Sequence, residues 1–331
     1  MKYVRFSVKC IMVAIPIIAL VLYTLLCPMA YMDEEYASWR FSKEVSEGKL
    51  FANQDFDTII LGDSGAMSSF VPNILSEKGN CINLAVGGGT SIEMYYFLRN
   101  YLEYHAAPKN VVIMFAPFHY TNIDNYDTRT RYFKALKIKD AAELYELAEL
   151  FQENSVYSKN AFWEEFSYRM GLPTKYLPAI TASKVFGRYN NNKKKYEDIV
   201  AQKGYGLFGT ADGCDGFSYE CAYEVMDFSN DAGLLSRYYS LIMDMCNRNG
   251  INVLVVQEAL NQSSYEAIKQ GYVDGYKFYL DSIQAQFPDI NIEKELRCYP
   301  NEYFGDVSHL NEKGSRVFSE EMKQLYPTIF Q

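Results

Sequence analysis

Apolar and polar positions divide the chain into three regimes. Cys10 to Met32 is a run of 23 positions without a charge, and a polar stretch follows it. From residue 58 onward, short apolar runs alternate with segments of helical period. The runs predict strands at 58–61, 81–86, 111–116 and 252–257, with a short fifth at 290–292. The helical segments predict helices at 91–104, at 233–249 (closed by Gly250), at 266–287 and at 312–326, the last with Asn311 as N-cap. Apolar strands alternating with helices imply an α/β fold, with a parallel sheet covered on both faces. Two stretches break the rhythm. Residues 33–54 read as a polar helical stalk with Trp39, Phe41, Val45 and Leu50 on a stripe. Residues 121–231 read as an insertion or cap over the active-site edge, with a helix near 141–153 and then loop-like sequence rich in Tyr, Asn, Gly and Lys.

The uncharged run exceeds the ~20 residues that span a bilayer. Lys2, Arg5 and Lys9 precede it, and Asp33, Glu34 and Glu35 follow it. The charge bias predicts a single-pass anchor with a cytoplasmic N-terminus and everything after residue 33 outside the cytoplasm. The rival is a cleaved signal peptide, whose apolar core would be ~7–15 residues before a small-residue cleavage site. Pro28-Met29-Ala30 is a poor site of that kind, and either reading exports the body. Removing Lys2, Arg5 and Lys9 from 32 basic residues leaves 29 against 41 acidic ones, a net charge of −12 for the exported part. That surface disfavours nucleic acid and anionic membrane as general partners. Cys214 and Cys221 are close enough to bridge outside the cytoplasm, and the alternative is two small buried apolar residues. With three histidines and no Cys/His cluster of zinc-like spacing, no metal site is expected.

In parallel α/β sheets, ligands bind beyond the carboxyl ends of the strands. Ser64 follows the first strand in Leu61-Gly62-Asp63-Ser64, Gly87-Gly88-Gly89 follow the second, His119 the third and Glu258 the fourth. Near the end stands Asp306-Val307-Ser308-His309. Serine is a weak nucleophile that needs a base in reach. His309 supplies one if its ring is held in the right tautomer, and Asp306 three residues earlier can hold it.

These blocks resemble the SGNH (GDSL-like) hydrolase superfamily, over residues 55–120 and 232–327. The resemblance implies a three-layer flavodoxin-like domain (55–120 and 232–331), beside the anchor (1–32), the stalk (33–54) and the insertion (121–231). It implies Ser64 as nucleophile, His309 as base and Asp306 as its partner, with Ser64 and Gly88 N–H groups in the oxyanion hole. Asp63 takes a supporting role at the turn. The family's Gly-x-Asn-Asp block is absent, and Phe115-Ala116-Pro117-Phe118-His119 stands in its place. The asparagine donor is therefore missing, and His119, Tyr120 and Asn122 are the candidates to replace it or to contact substrate. No cofactor is implied.

The anchored plan is similar to envelope acyl-transfer proteins of that superfamily, namely the D-alanine transfer protein of teichoic acid and the SGNH-like partners of membrane-bound O-acyltransferases. The resemblance implies transfer of an acetyl or D-alanyl group through acyl-Ser64 to a cell-envelope glycan or polymer. The implied donor is a multispanning membrane acyltransferase. Two alternatives are a carbohydrate esterase using the same triad and a catalytically silent binding or assembly subunit.

Overall fold

The computed structural model describes residues 2–77, 80–123, 126–226 and 233–330. Helix α1 (Lys2–Leu26) leads the chain with most of its side chains exposed, and it is long and apolar enough to cross a membrane. Helices α2 (Pro28–Tyr31) and α3 (Tyr36–Ser46) follow. The first half of the body comprises β1 (Thr58–Gly62), α4 (Ser64–Ser69), α5 (Pro72–Leu75), β2 (Cys81–Asn83), α6 (Ser91–Tyr104) and β3 (Asn110–Met114). Four helices come next: α7 (Ile138–Leu150), α8 (Ala161–Arg169), α9 (Pro173–Ala182) and α10 (Tyr189–Ala201). The second half comprises α11 (Gly233–Arg248), β4 (Asn252–Val255), β5 (Ala259–Asn261), α12 (Gln262–Ala267), α13 (Gln270–Gln286), β6 (Asn291–Ile292), β7 (Arg297–Tyr299) and α14 (Glu312–Leu325).

Five strands form one parallel sheet in the order β2-β1-β3-β4-β6. Every residue of β1 and β3 is buried, which is why both read as unbroken apolar runs. The order reverses at β1, so the connections from β1 and β3 leave in opposite directions and open a crevice at the carboxyl ends of those strands. β5 and β7 form a separate two-stranded parallel pair.

The helices pack in two groups. α6 packs against α3 and α11, and α14 packs against α4 and α5. α6 starts where Thr90 and Glu93 cap its first turn reciprocally. Ser315 and Ser319 of α14 donate to the carbonyls of Ser68 and Ser69 and bring α14 close over α4. The expected 266–287 helix is instead two, because residues 268 and 269 are extended between α12 and α13. Ser264 of α12 is buried and accepts the Ser218 N–H at 2.8 Å, which ties that turn to a distant loop.

The segment expected as a stalk is built into the body. Trp39, Phe41 and Val45 are buried against the core, and burial of side chains such as Phe41 and Val45 stabilises by roughly 1.5–3 kcal/mol each. The insertion is more helical than expected: α8, α9 and α10 occupy sequence read as loop, including the polar run 190–195. After α10 the chain runs as an extended strap. Lys203 O accepts from Asn83 N, Gly206 N donates to Met67 O, and Ala211 N donates to Gly305 O. Gly204 has φ +98°, and a Cβ there would lie 1.8 Å from Asn83 O, so the strap can pass β2 only at a glycine. The insertion's expected end at 231 lies outside the described residues. Cys214 and Cys221 are free thiols.

Candidate active site

Register places the first components. Gly62 pairs with Met114, so the residues that follow β1 and β3 emerge side by side. Asp63 is the N-cap of α4, and its carboxylate accepts Gly65 N at 2.9 Å, Ala116 N at 2.7 Å and His119 Nδ1 at 2.6 Å. This acid fastens the β1 turn to the β3 turn from a buried position. Ser64 is the first residue of α4, half-buried, at the positive end of that short helix.

The loop after β2 closes on the same point. Val86 N donates to Gly62 O at 3.2 Å, two residues before Ser64. Gly88 is left-handed, φ +66°, and half-buried. Neither Ser64 N–H nor Gly88 N–H donates a hydrogen bond among the described residues. Two open N–H groups on neighbouring turns are what an oxyanion hole requires.

His309 arrives from the C-terminal segment. Its Nδ1 lies 2.9 and 2.8 Å from the two Asp306 carboxylate oxygens, which leaves Nε2 as the working nitrogen. Asp306 also accepts the backbone N–H groups of Ser308 and His309. Burial pushes the Asp306 carboxyl up, but the His309 ring and the two N–H donors outweigh it and hold it below the usual carboxylate range. Phe208 of the strap stacks on the His309 ring with centroids 4.8 Å apart. The same phenyl ring borders Gly87, where a Cβ would meet it at 3.1 Å. Phe208 therefore bridges the His309 ring and the glycine turn after β2. Ser64 Oγ and His309 form no hydrogen bond with each other among the described residues.

A buried carboxyl underlies the site. Glu258, which follows β4, lies against Gly65 so closely that a Cβ there would fall 2.2 Å from its Oε1. It is 7% exposed and makes no hydrogen bond among the described residues. Burial first, then the charges of Asp63, Glu220 and Asp306, push its pKa well above the usual carboxylate range. Burial also raises Glu220, against its own backbone N–H, the Ser218 hydroxyl and His119, which lower it. Among the described residues no three His, Cys, Asp or Glu side chains are grouped to hold a metal ion.

Of the expected contacts, His119 joins the site through Asp63 and the other two do not. Tyr120 turns into the core, where its ring packs on Phe115, Tyr239, Tyr276 and Tyr279. Asn122 is exposed and spends its amide locally on Phe118 O and Thr121 Oγ1. One residue and one contact were not anticipated: Phe208, and the pairing of Asp63 with His119. Phe208 carried no motif. The Asp63–His119 pair follows from adjacency of β1 and β3 once the strand order is known.

No protein-family model matches the chain, and no curated protein sequence matches it.

Proposed function

We propose that the chain is a membrane-anchored serine acyltransferase of SGNH type, its sheet and flanking helices forming a three-layer flavodoxin-like domain outside the cytoplasm. One observation carries the reading: an Asp306-oriented histidine is held by Phe208 beside the turn that presents the open Gly88 N–H, next to Ser64 with its own open N–H. The strand order and the position of these turns at the carboxyl ends of β1 and β2 support it.

In this reading the Ser64 hydroxyl attacks the carbonyl carbon of a donor ester while His309 Nε2 takes the hydroxyl proton. The carbonyl oxygen, now negative, is bound by the Ser64 and Gly88 N–H groups. Collapse breaks the ester bond, and the imidazolium returns its proton to the leaving alkoxide, which departs as an alcohol. A glycan or polymer hydroxyl then repeats the steps in reverse on acyl-Ser64, giving up its proton to His309 and taking the acyl group. Asp306 stays ionised and steadies the imidazolium.

Nearness to a membrane donor is supported by the chain path. Glu35, nine residues past the end of α1, lies against Gly87, where a Cβ would meet its carboxylate at 3.0 Å. Nine residues span at most ~30 Å, so the site opens within that reach of α1.

The separation of Ser64 Oγ from His309 favours a second reading, a silent binding subunit, although catalytic hydrogen bonds often tighten only with substrate. The test is to incubate the detergent-solubilised full chain with an activated acetate ester and weigh it. A mass gain of one acetyl group, absent in Ser64→Ala and discharged faster by a polyol than by water, is expected. Unmodified protein with no ester turnover would establish the silent reading, and turnover insensitive to polyol would establish an esterase.

A further inference from the structure

Between residues 161 and 180, eight positions are exposed, and six of them are large apolar side chains: Phe162, Trp163, Phe166, Met170, Leu172 and Leu177. Four of the six recur at helical spacing (162, 163, 166, 170) and so cover one face of α8 and its end. Their rings cluster, with Trp163 6.1 Å from Phe162 and 5.9 Å from Phe166. The acids of the same helix are neutralised: Glu165 faces inward to Arg169, and Glu164 pairs with Lys175. Scattered exposed apolar residues are ordinary on a protein surface, but a contiguous aromatic face cleared of unpaired charge is not.

The place of this face says what covers it. Thr24 Oγ1 of α1 donates to Gly171 O, at the end of α8, at 2.6 Å. Tyr23 packs edge-on against exposed Phe186 at 5.3 Å and donates to Val185 O. The last turn of α1 is thus level with the α8–α9 corner. From Cys10, the first residue past the last charge of α1, to Leu26 is 17 residues, about 25 Å of helix. That is about 5 Å short of the ~30 Å hydrocarbon core. A bilayer thinned to that length ends about level with Tyr23 and Thr24, so the corner packed beside them stands at interfacial depth.

We propose that the aromatic face of α8, extended by Phe186, beds into the interfacial zone of the bilayer that α1 spans, so that the body is fixed to the membrane by two elements. The inference rests on α1 being a membrane span. Trp and Tyr concentrate at that depth because their amphipathic rings suit the headgroup layer. A body seated this way cannot swing freely about α1, so the orientation of the Ser64 cleft toward a membrane donor is set.

The chain has two tryptophans, one buried (Trp39) and one on this face (Trp163), which makes the test direct. Full-length protein is reconstituted into phosphatidylcholine–phosphatidylglycerol vesicles, with and without bromine on the acyl chains near the headgroup. Bromolipid is expected to quench part of the tryptophan emission, and Trp163→Phe is expected to abolish the quenchable part while leaving Trp39 emission. An alkaline carbonate wash of the same vesicles reads α1 separately. Retained protein whose emission bromolipid does not quench would overturn the inference alone. Protein released by the wash would overturn the anchor and the inference together.

Discussion

The Asp63 carboxylate and the His119 ring meet at 2.6 Å across the crevice between β1 and β3, 56 residues apart in sequence. The same carboxylate holds Gly65 N and Ala116 N, so one acid fixes the start of α4, the end of β3 and a ring at the site. The chain therefore carries two Asp–His pairs around one serine, and they differ in burial. Asp63 is 1% exposed, whereas the Asp306 side chain is 38% exposed. The first is a brace. The second is ordered but more open to solvent, as the proposed role of His309 as a base requires.

Removing the brace should cost stability and position together. Asp63→Asn keeps the shape but weakens three donors, and hydrogen bonds to a buried charge are worth about 1.5–3 kcal/mol each. We expect a loss of at least about 2 kcal/mol in urea unfolding. A double-mutant cycle with His119→Gln should show coupling of roughly 1–3 kcal/mol between the two positions. Additive effects would mean the contact stores no energy.

Asp306 predicts a pH dependence. Its proton is held less tightly in the folded chain than in the unfolded one. Its contribution to stability is therefore full above the ordinary carboxylate range, near 4, and disappears as the pH falls through its lower folded value. Urea midpoints measured from pH 2 to 6 should fall toward acid more steeply for the wild type than for Asp306→Asn. The same substitution should slow acylation by about 10³–10⁴-fold, because the His309 tautomer is no longer enforced.

Glu258 behaves in the opposite sense. Burial and three neighbouring acids make its proton tighter in the folded chain, so the wild type loses stability as the pH rises from the ordinary glutamate range toward its raised folded value. Glu258→Gln is isosteric with the neutral form. It should match the wild type near pH 4 and exceed it at pH 8 in thermal unfolding, with acyl transfer retained. If the variant were less stable at pH 8, the carboxyl would be ionised and paired.

Sequence reveals some of this plan and hides the rest for physical reasons. Central strands and α6 were legible because fully buried strands have apolar runs and residues 91–104 between two of them keep a helical period. Asn311 caps α14 as its sequence position suggested, accepting Gly314 N at 3.0 Å. α10 was illegible because its packed side is partly polar. Asn192 is buried there and donates to the carbonyls of Met29 and Met32 instead of adding to an apolar stripe. The stripe of α3 was visible, but its partner α6 is about 50 residues away in the chain, so exposure on a stalk and burial in a core looked alike. At the site, the motif residues were readable one by one. The contacts made by Phe208 and His119 depend on strand order and on the strap, neither of which has a local signature.

The strap gives the last prediction. Phe208 reaches His309 because Gly204 lets the chain cross Asn83 in a left-handed conformation with no room for a side chain. Gly204→Ala adds about 1–2 kcal/mol of backbone strain, besides the clash at 1.8 Å with Asn83 O. It should therefore lower stability by more than about 2 kcal/mol and lower acyl transfer as the strap shifts. That variant alone cannot separate the two effects. Phe208→Leu leaves the strap's backbone bonds in place and removes only the aromatic stack on His309. It should keep the melting temperature within a few degrees, since a half-buried change of this size costs about 1 kcal/mol or less. kcat should nevertheless fall about tenfold or more, with KM for the donor unchanged, because a loosely held base affects the transition state and not binding. Wild-type kcat in Phe208→Leu would show that Asp306 alone holds the ring, and would reduce the strap to a structural tie.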